Sequence, residues 1–373
     1  MTKVCIYAIC KNEADNAAEW YKSVEDADHV IVLDTGSDDG TPDILMDLGC
    51  TVETELFHPF RFDEARNHAL DLALDLTDAD VFMALDFDER LEPGWKEALV
   101  ESWDPERHTR GSYDLYLGSK ADVPMNRNWV HDRTWMWKYP VHEAMIRRYG
   151  GSIWYTPAET CDLHGKVSVR HKDMDNLKPN HKQYLDLMRL RFKEERDQES
   201  AAYLAREYMY RVMPDESLLM EPEFLMLDLS GNPGAWVCIC LAWAHEAKKD
   251  LDGAMALLFR AYLMDPGNRT APTDLVRHLS NKGFNELALA FLDEVYRTAS
   301  SYSPNYLFVD NQDVWKWRLD DWRGVCLARC GRWAEALVWY RRALAGTAEG
   351  SWERDHVNAN ISYAEKMIGG DAK

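Results

Sequence analysis

Two carboxylates separated by one residue close an apolar run at Val81-Phe82-Met83-Ala84-Leu85-Asp86-Phe87-Asp88-Glu89. Strand side chains alternate faces, so Asp86 and Asp88 are expected to point the same way at the end of a buried strand. Hard oxygen ligands there suit Mg²⁺ or Mn²⁺ bridging a diphosphate, because such ions are held by one or two carboxylates plus phosphate oxygens. A solvated acidic turn is the competing reading. A second acidic segment, Asp34-Thr35-Gly36-Ser37-Asp38-Asp39-Gly40-Thr41, looks like a calcium loop, but its sixth position is Asp39 rather than glycine and its twelfth is Leu45 rather than glutamate. Read instead as a strand-to-helix loop, it offers Asp34 at a strand end and backbone N–H groups at a helix start, both apt for a nucleoside. Neither G-x-G-x-x-G nor G-x-x-x-x-G-K-[ST] occurs, which leaves dinucleotide and P-loop sites without support.

The elements that must position these residues alternate along the first hundred residues. Val4–Cys10, His29–Leu33, Thr51–Phe57 and Val81–Leu85 read as strands. Ala14–Val24, Thr41–Leu48, Asp63–Leu76 and a segment opened by Pro93 read as helices. Such alternation implies an α/β fold with a mostly parallel sheet covered on both faces, and ligands then sit at the carboxyl ends of its strands. Residues 107–165 are dense in aromatics, among them Trp129, Trp135, Trp137 and Tyr139, as expected of strands and loops roofing a cleft.

From about Tyr184 the pattern is helical, and a repeat emerges. Gly253-Ala254, Leu258 and Ala261 follow the second-helix spacing of a tetratricopeptide-type repeat. Ala288 lies 34 residues after Ala254, and Gly331-Arg332-Trp333-Ala334-Glu335-Ala336 opens a third copy. Two or three stacked hairpins are expected, with an insertion around Ser300–Asn311; an ordinary helical bundle is the alternative.

Composition narrows the classes further. The 373 residues carry 43 Lys and Arg against 64 Asp and Glu, a net charge of −21. Residues 1–106 hold 7 basic and 27 acidic side chains, which argues against a phosphate-backbone footprint there; residues 107–212 hold 19 and 14. No run approaches the roughly 18 apolar residues of a membrane helix, and no signal peptide is read, so a soluble, cytoplasmic protein is expected. The eight cysteines make no C-x-x-C pair and are expected to be reduced core thiols.

Taken in order, Cys5-Ile6-Tyr7-Ala8-Ile9-Cys10-Lys11-Asn12-Glu13, the Asp34–Thr41 loop, Phe62-Asp63-Glu64-Ala65-Arg66-Asn67 and Leu85-Asp86-Phe87-Asp88-Glu89 resemble family 2 glycosyltransferases with the GT-A fold. The helical tail resembles that of a bacterial and phage-type subgroup carrying tetratricopeptide-like repeats. The resemblance implies a GT-A nucleotide-sugar-binding domain over 1–170, a helical linker region over 171–230 and an all-α repeat domain over 231–373. It further implies that Asn12, Glu13 and Asp34 border the nucleoside, that Arg66 approaches the base, that Asp86 meets the ribose or metal, and that Asp88 binds Mn²⁺ or Mg²⁺. Many members carry a second Asp where this chain has Thr35. Val141-His142-Glu143 resembles the subgroup's His-Glu segment and makes Glu143 the candidate general base of an inverting transfer. An ion pair with Arg147 one helical turn on is the competing reading of Glu143. His164 is the candidate third metal or diphosphate ligand. Arg147, Arg148, Lys166, Arg170 and Lys172 read either as diphosphate contacts or as a solvated basic face.

The expected activity is metal-dependent transfer from a nucleotide sugar, a UDP-sugar foremost, to a hydroxyl or thiol. A polypeptide is the favoured acceptor because repeat arrays present concave binding surfaces. Two other readings stay open: transfer to a hydroxylated base of DNA, and a non-catalytic repeat scaffold on a degenerate transferase fold. Homodimerisation through the repeats is a further expectation.

Overall fold

A computed structural model describes residues 2–118, 124–149, 157–172, 181–298 and 314–370. The chain forms two compact units, Met1–Arg191 and Phe192–Lys373. The expected insertion at Ser300–Asn311 lies outside the described residues.

The first unit is α/β. Its opening strands are β1 (Val4–Cys10), β2 (His29–Asp34), β3 (Thr51–Thr54) and β4 (Val81–Ala84). They alternate with α1 (Ala14–Val24), α2 (Thr41–Leu48) and α3 (Phe62–Leu76), and β5 (Glu89–Leu91) and α4 (Trp95–Ser102) follow. Then come β6 (Arg110–Leu117), β7 (Met125–His131), β8 (Trp135–Lys138), β9 (Ala144–Arg147), β10 (Thr160–Asp162) and β11 (Ser168–His171). Nine strands make one sheet in the order β3-β2-β1-β4-β7-β6-β11-β5, with β10 also on β6; β8 and β9 form a separate ribbon. The sheet is parallel from β3 to β4 and mixed beyond, because β7 runs antiparallel to both β4 and β6. Pairing of Cys10 with Asp34 and of Asp34 with Thr54 levels the carboxyl ends of three strands at one edge.

Strand alternation divides the core in two. Val4, Ile6, Ala8 and Cys10 pack with Trp20 of α1 and Leu45 of α2. Cys5 and Tyr7 face the other way, onto Ala65, Ala69 and Ala73 of α3 and onto Trp135 and Trp137. The alanines recur every fourth residue, so α3 lies close against the sheet.

On the α3 side sits a buried polar chain. Trp137 Nε1 donates to Tyr7 Oη at 2.8 Å, Tyr7 Oη bonds His131 Nε2 at 2.8 Å, and His131 Nδ1 bonds the Asp132 carbonyl at 2.7 Å. Because a carbonyl only accepts, Nδ1 carries the proton and Nε2 accepts from the tyrosine. Burial pushes the His131 pKa down to about 4.

The second unit is all helical. It contains α6 (Gln198–Tyr210), α7 (Pro214–Leu225), α8 (Gly231–Ala247), α9 (Leu251–Met264), α10 (Thr270–Asn281), α11 (Asn285–Thr298), α12 (Leu319–Arg329), α13 (Trp333–Ala345) and α14 (Trp352–Gly370); α5 (His181–Glu195) precedes it and spans the boundary in sequence. A common device joins the hairpins. Val212, Lys249, Gly283 and Gly331 adopt left-handed backbone between paired helices. Five residues after each comes a fully buried small residue: Ser217, Ala254, Ala288 and Ala336. The left-handed residue ends one helix and the small residue lets the next pack tightly against it. Among the described residues this device joins four hairpins, the first of them α6 and α7, before residue 231. Among the described residues no helix is long and apolar enough to cross a membrane.

Two consequences can be measured. His131 binds its proton less readily in the folded chain than at the ordinary 6.5, so its contribution is intact above pH 6.5 and lost as pH falls toward 4. The loss is about 3 kcal/mol, and chemical denaturation across this range should show a shallower pH dependence in His131→Gln than in the parent. A Cβ on Gly324 would lie 2.5 Å from Tyr340 Cε1. Gly324→Ala should therefore cost about 1–3 kcal/mol in thermal unfolding.

Candidate functional site

The site grows from the edge where β1, β2 and β4 end. After β1, Asn12 takes left-handed backbone at φ 58°. Its N–H donates to Ser37 Oγ at 2.8 Å, and its side-chain oxygen accepts from Asp38 N at 2.9 Å. Glu13 N donates to Thr41 Oγ1, and Glu13 Oε2 accepts from Asn16 Nδ2. Asp34 is 1% exposed. Its carboxylate accepts from Gly36 N, Ser37 N and Ser37 Oγ, at 2.5 to 3.2 Å. Asn12, Glu13 and Asp34 thus stitch together the two loops at this edge. Asp34 in particular builds the loop from within.

Arg66, on the first turns of α3, is the centre of the cluster. Its Nε donates to Glu143 Oε1 at 2.9 Å, and its Nη2 donates to Asp86 Oδ1 at 2.8 Å and Oδ2 at 3.2 Å. Its guanidinium lies 4.7 Å from the Trp129 ring centre and 5.0 Å from that of Trp137, so the cation also meets two π faces. Only 5% of its side chain is exposed. Burial opposes its charge, but Asp86 and Glu143 outweigh burial and hold it firmly protonated. The neighbouring Asn67 fixes the distance to the aromatic ribbon, exchanging two 2.8 Å bonds with the backbone of Trp137.

Glu143 sits just before β9, in the loop that follows β8. Tyr139 and His142 in this loop have positive φ, at 84° and 51°. Arg191 of α5 secures it, donating to the carbonyls of Val141 and His142 at 3.1 and 3.0 Å with its guanidinium 4.0 Å from the Tyr139 ring centre. The segment is loop and strand, so the one-turn pair with Arg147, the competing reading of Glu143, does not form. Arg147 bonds Glu159 and Thr134 instead. Arg148, Arg170 and Lys172 are likewise paired within the unit, to Asp71, Glu92 and Glu19, while Lys166 bonds Ser102.

The Asp86-Phe87-Asp88 segment lies just beyond the strand rather than on it. β4 ends at Ala84, and the chain turns at Phe87-Asp88, with Glu89 N donating to the Asp86 carbonyl at 3.0 Å. Phe87 is drawn inward to stack on Trp20 at 4.3 Å. The two carboxylates consequently take different partners. Asp86 faces Arg66, while Asp88 Oδ2 lies 3.1 Å from His171 Nε2. Burial works against the Asp88 charge, yet the bond from His171 holds this carboxyl below its usual range. His171 in turn is pushed up to about 9, chiefly by the same bond. Glu89 underpins the turn, bonding Asp86 N at 3.2 Å and Arg127 Nη2 at 2.7 Å. Burial raises its pKa to about 7.

His164 lies apart from this edge. Its Nδ1 bonds Asp114 Oδ1 at 2.6 Å, and Gly165 N donates to the other oxygen at 2.8 Å. Asp114 pairs in register with Ser168, three residues before His171 and so roughly 10 Å back along the strand. His171, Glu89 and Arg127 were missed by sequence reasoning. The one available sign of His171 was its place at the end of the short apolar-polar alternation Val167-Ser168-Val169-Arg170-His171.

An imidazolium held against Asp88 occupies a position where positive charge is favoured. Loss of its proton would leave a nitrogen and a carboxylate oxygen facing one another, a donor pair that suits a divalent transition ion. The residues present therefore fit such an ion at Asp88 and His171.

Residues 5–175 match the family described as Glycosyl transferase family 2. The first unit is a family 2 glycosyltransferase domain. No curated protein matches the chain. Among solved structures, MamA aligns with 50% of this chain and 95% of its own at 17% identity and TM-score 0.36. A thermophilic TPR protein from Thermus thermophilus aligns with 49% and 91% at 16% identity and TM-score 0.33. The N-terminal domain of stress-induced protein-1 from C. elegans aligns with 36% and 97% at 14% identity and TM-score 0.28. Scores this low carry no weight for fold or function, and the repeat rests on the four left-handed junctions described above.

Within the transferase domain, Arg66→Met should cost about 3–5 kcal/mol in unfolding experiments, because it strands two carboxylates beside aromatic rings. Adding Glu143→Gln and Asp86→Asn to it should recover much of that loss.

Proposed function

We propose that this chain is a metal-dependent inverting glycosyltransferase that moves a sugar from a nucleoside-diphosphate sugar, a UDP-sugar foremost, to a hydroxyl or thiol of a polypeptide. The observation that carries the proposal is Glu143 held by Arg66 beside Asp86, within a family 2 domain and at its carboxyl edge. Arg66 commits Glu143 Oε1, while Oε2 has no hydrogen bond among the described residues and is suited to receive a proton. Glu143 is only 10% exposed, which limits competition from water for that oxygen.

The residues divide the work as follows. Asn12, Glu13 and Asp34 shape the floor on which the nucleoside rests. Asp86, anchored by Arg66, borders the ribose. Asp88 and His171 would hold Mn²⁺ or Mg²⁺, with His171 in the role first expected of His164. When bound, such an ion supplies Lewis-acid neutralisation of the charge that develops on the leaving diphosphate. The acceptor O–H or S–H attacks the anomeric carbon from the face opposite the diphosphate. Its proton passes to Glu143 Oε2, and the carbon–oxygen bond to the diphosphate breaks with its electron pair on the leaving group. A fixed Arg66–Glu143 pair keeps the base oriented throughout.

The test is incubation with Mn²⁺ or Mg²⁺ and a panel of UDP-, GDP-, CDP- and TDP-sugars, with mass spectrometry of released nucleoside diphosphate. One donor should turn over, with release lowered roughly 10- to 100-fold in Asp88→Ala and in His171→Ala, whereas His164→Ala retains activity. Neither nucleotide binding nor turnover for any donor would leave a non-catalytic scaffold. Transfer that depends on added DNA and falls steeply with ionic strength would replace the polypeptide acceptor by a nucleic-acid base.

A further inference from the structure

Within the helical unit lies a cavity of about 480 Å³, in the size range of ligand sites. Its wall comes largely from the first helices of three successive hairpins: Met209 of α6, Trp243 and Glu246 of α8, and Asp274 and Arg277 of α10, with Leu258 of α9 behind them. One face of a stacked array is the surface on which such arrays bind extended partners. The apolar part is aromatic and aliphatic, while the polar part converges at one end.

That polar end is already half neutralised. Arg277 Nη1 and Nη2 each donate to Glu246 at 2.8 Å, a two-pronged pair that uses up the favoured direction of the guanidinium. Among the described residues Asp274 receives a long 3.3 Å bond from Arg277 Nε; burial pushes its carboxyl above the usual range, Arg277 and more weakly Arg318 oppose that, and an incoming cation would complete its neutralisation. About a third of its side chain stays exposed. The charges of the lining sum to one negative, and residues 192–373 hold 28 acidic against 21 basic side chains. Both the local and the wider field favour a cation and disfavour a phosphate chain.

We propose that this cavity binds the side chain of a lysine or arginine, flanked by apolar residues, in an extended polypeptide. The ammonium or guanidinium is taken by Asp274, its aliphatic stem lies on Trp243, and the flanking residues meet Met209 and Leu258. Arg277 is locked by Glu246 and repels no more than one formal charge, so the site discriminates by the sign of the guest. The inference is independent of the transferase chemistry, because it needs neither donor nor metal.

The test is fluorescence anisotropy on the full chain without nucleotide or ion, using labelled Gly-Ser-Leu-X-Leu-Ser-Gly peptides with X as lysine, norleucine or glutamate. The lysine probe should bind at least tenfold tighter than the glutamate probe, with norleucine between. Asp274→Asn should bring the lysine probe to the norleucine level, about a tenfold loss. Ala247→Trp, a bulky neutral change at the exposed rim of the cavity, should weaken all three without touching Asp274; thermal melts report whether each variant is folded. Equal affinity for lysine and glutamate probes, no effect of a folded Asp274→Asn, no binding of any probe, or displacement by a single-stranded oligonucleotide would each overturn the proposal. None of these outcomes bears on whether a nucleotide sugar is turned over.

Discussion

The guanidinium of Arg66 is the constraint on which the transferase domain is organised. One buried cation joins the helix α3, the turn after β4 through Asp86, and the loop after β8 through Glu143. Two tryptophan faces exclude water around it. Removing a charge from water is costly, and its partners must then be close and well aligned for the arrangement to persist. The positions of Asp86 and Glu143 are thus set by one shared partner, and the same arrangement that costs solvation gives the site its geometry.

Around that centre the domain repeats one solution, which is to satisfy a buried polar group locally. Asp34 is enclosed by the N–H groups of its own loop, Asp114 by the His164-Gly165 turn, Glu89 by Arg127 and Asp86 N, and the Tyr7 hydroxyl by Trp137 and His131. Each link ties a loop or a strand end to its neighbours and removes a freedom from it. The pair of Asp88 and His171 is the exception in exposure: half of the Asp88 side chain remains open to solvent.

The helical unit reaches regularity by a different route. Its four hairpins share a left-handed junction followed five residues later by a buried small side chain, although the junction residue is glycine in two cases and Val212 and Lys249 in the others. Spacing was legible at Ala254, Ala288 and Ala336, where an alanine stands at the buried position with a glycine just before it or at the junction. The hairpin of α6 and α7 escaped notice because valine and serine carry no such signal; tertiary packing imposes the left-handed backbone on Val212.

The alternation of strands and helices, the four motifs and their order, and the core faces of β1 were all determined by the sequence, since side-chain periodicity and local hydrogen bonding act over a few residues. Tertiary structure alone decided which carboxylate meets which cation. Strand alternation placed Asp86 and Asp88 on a strand end, but β4 stops at Ala84 and the chain turns at Phe87-Asp88, and the two carboxylates take different partners. Glu143 found Arg66, 77 positions away in the chain, rather than nearby Arg147, and Asp88 found His171, 83 positions on, which belongs to none of the four motifs. Charge pairing depends on distance in space and on shared burial, and neither is encoded in the spacing of residues along the chain.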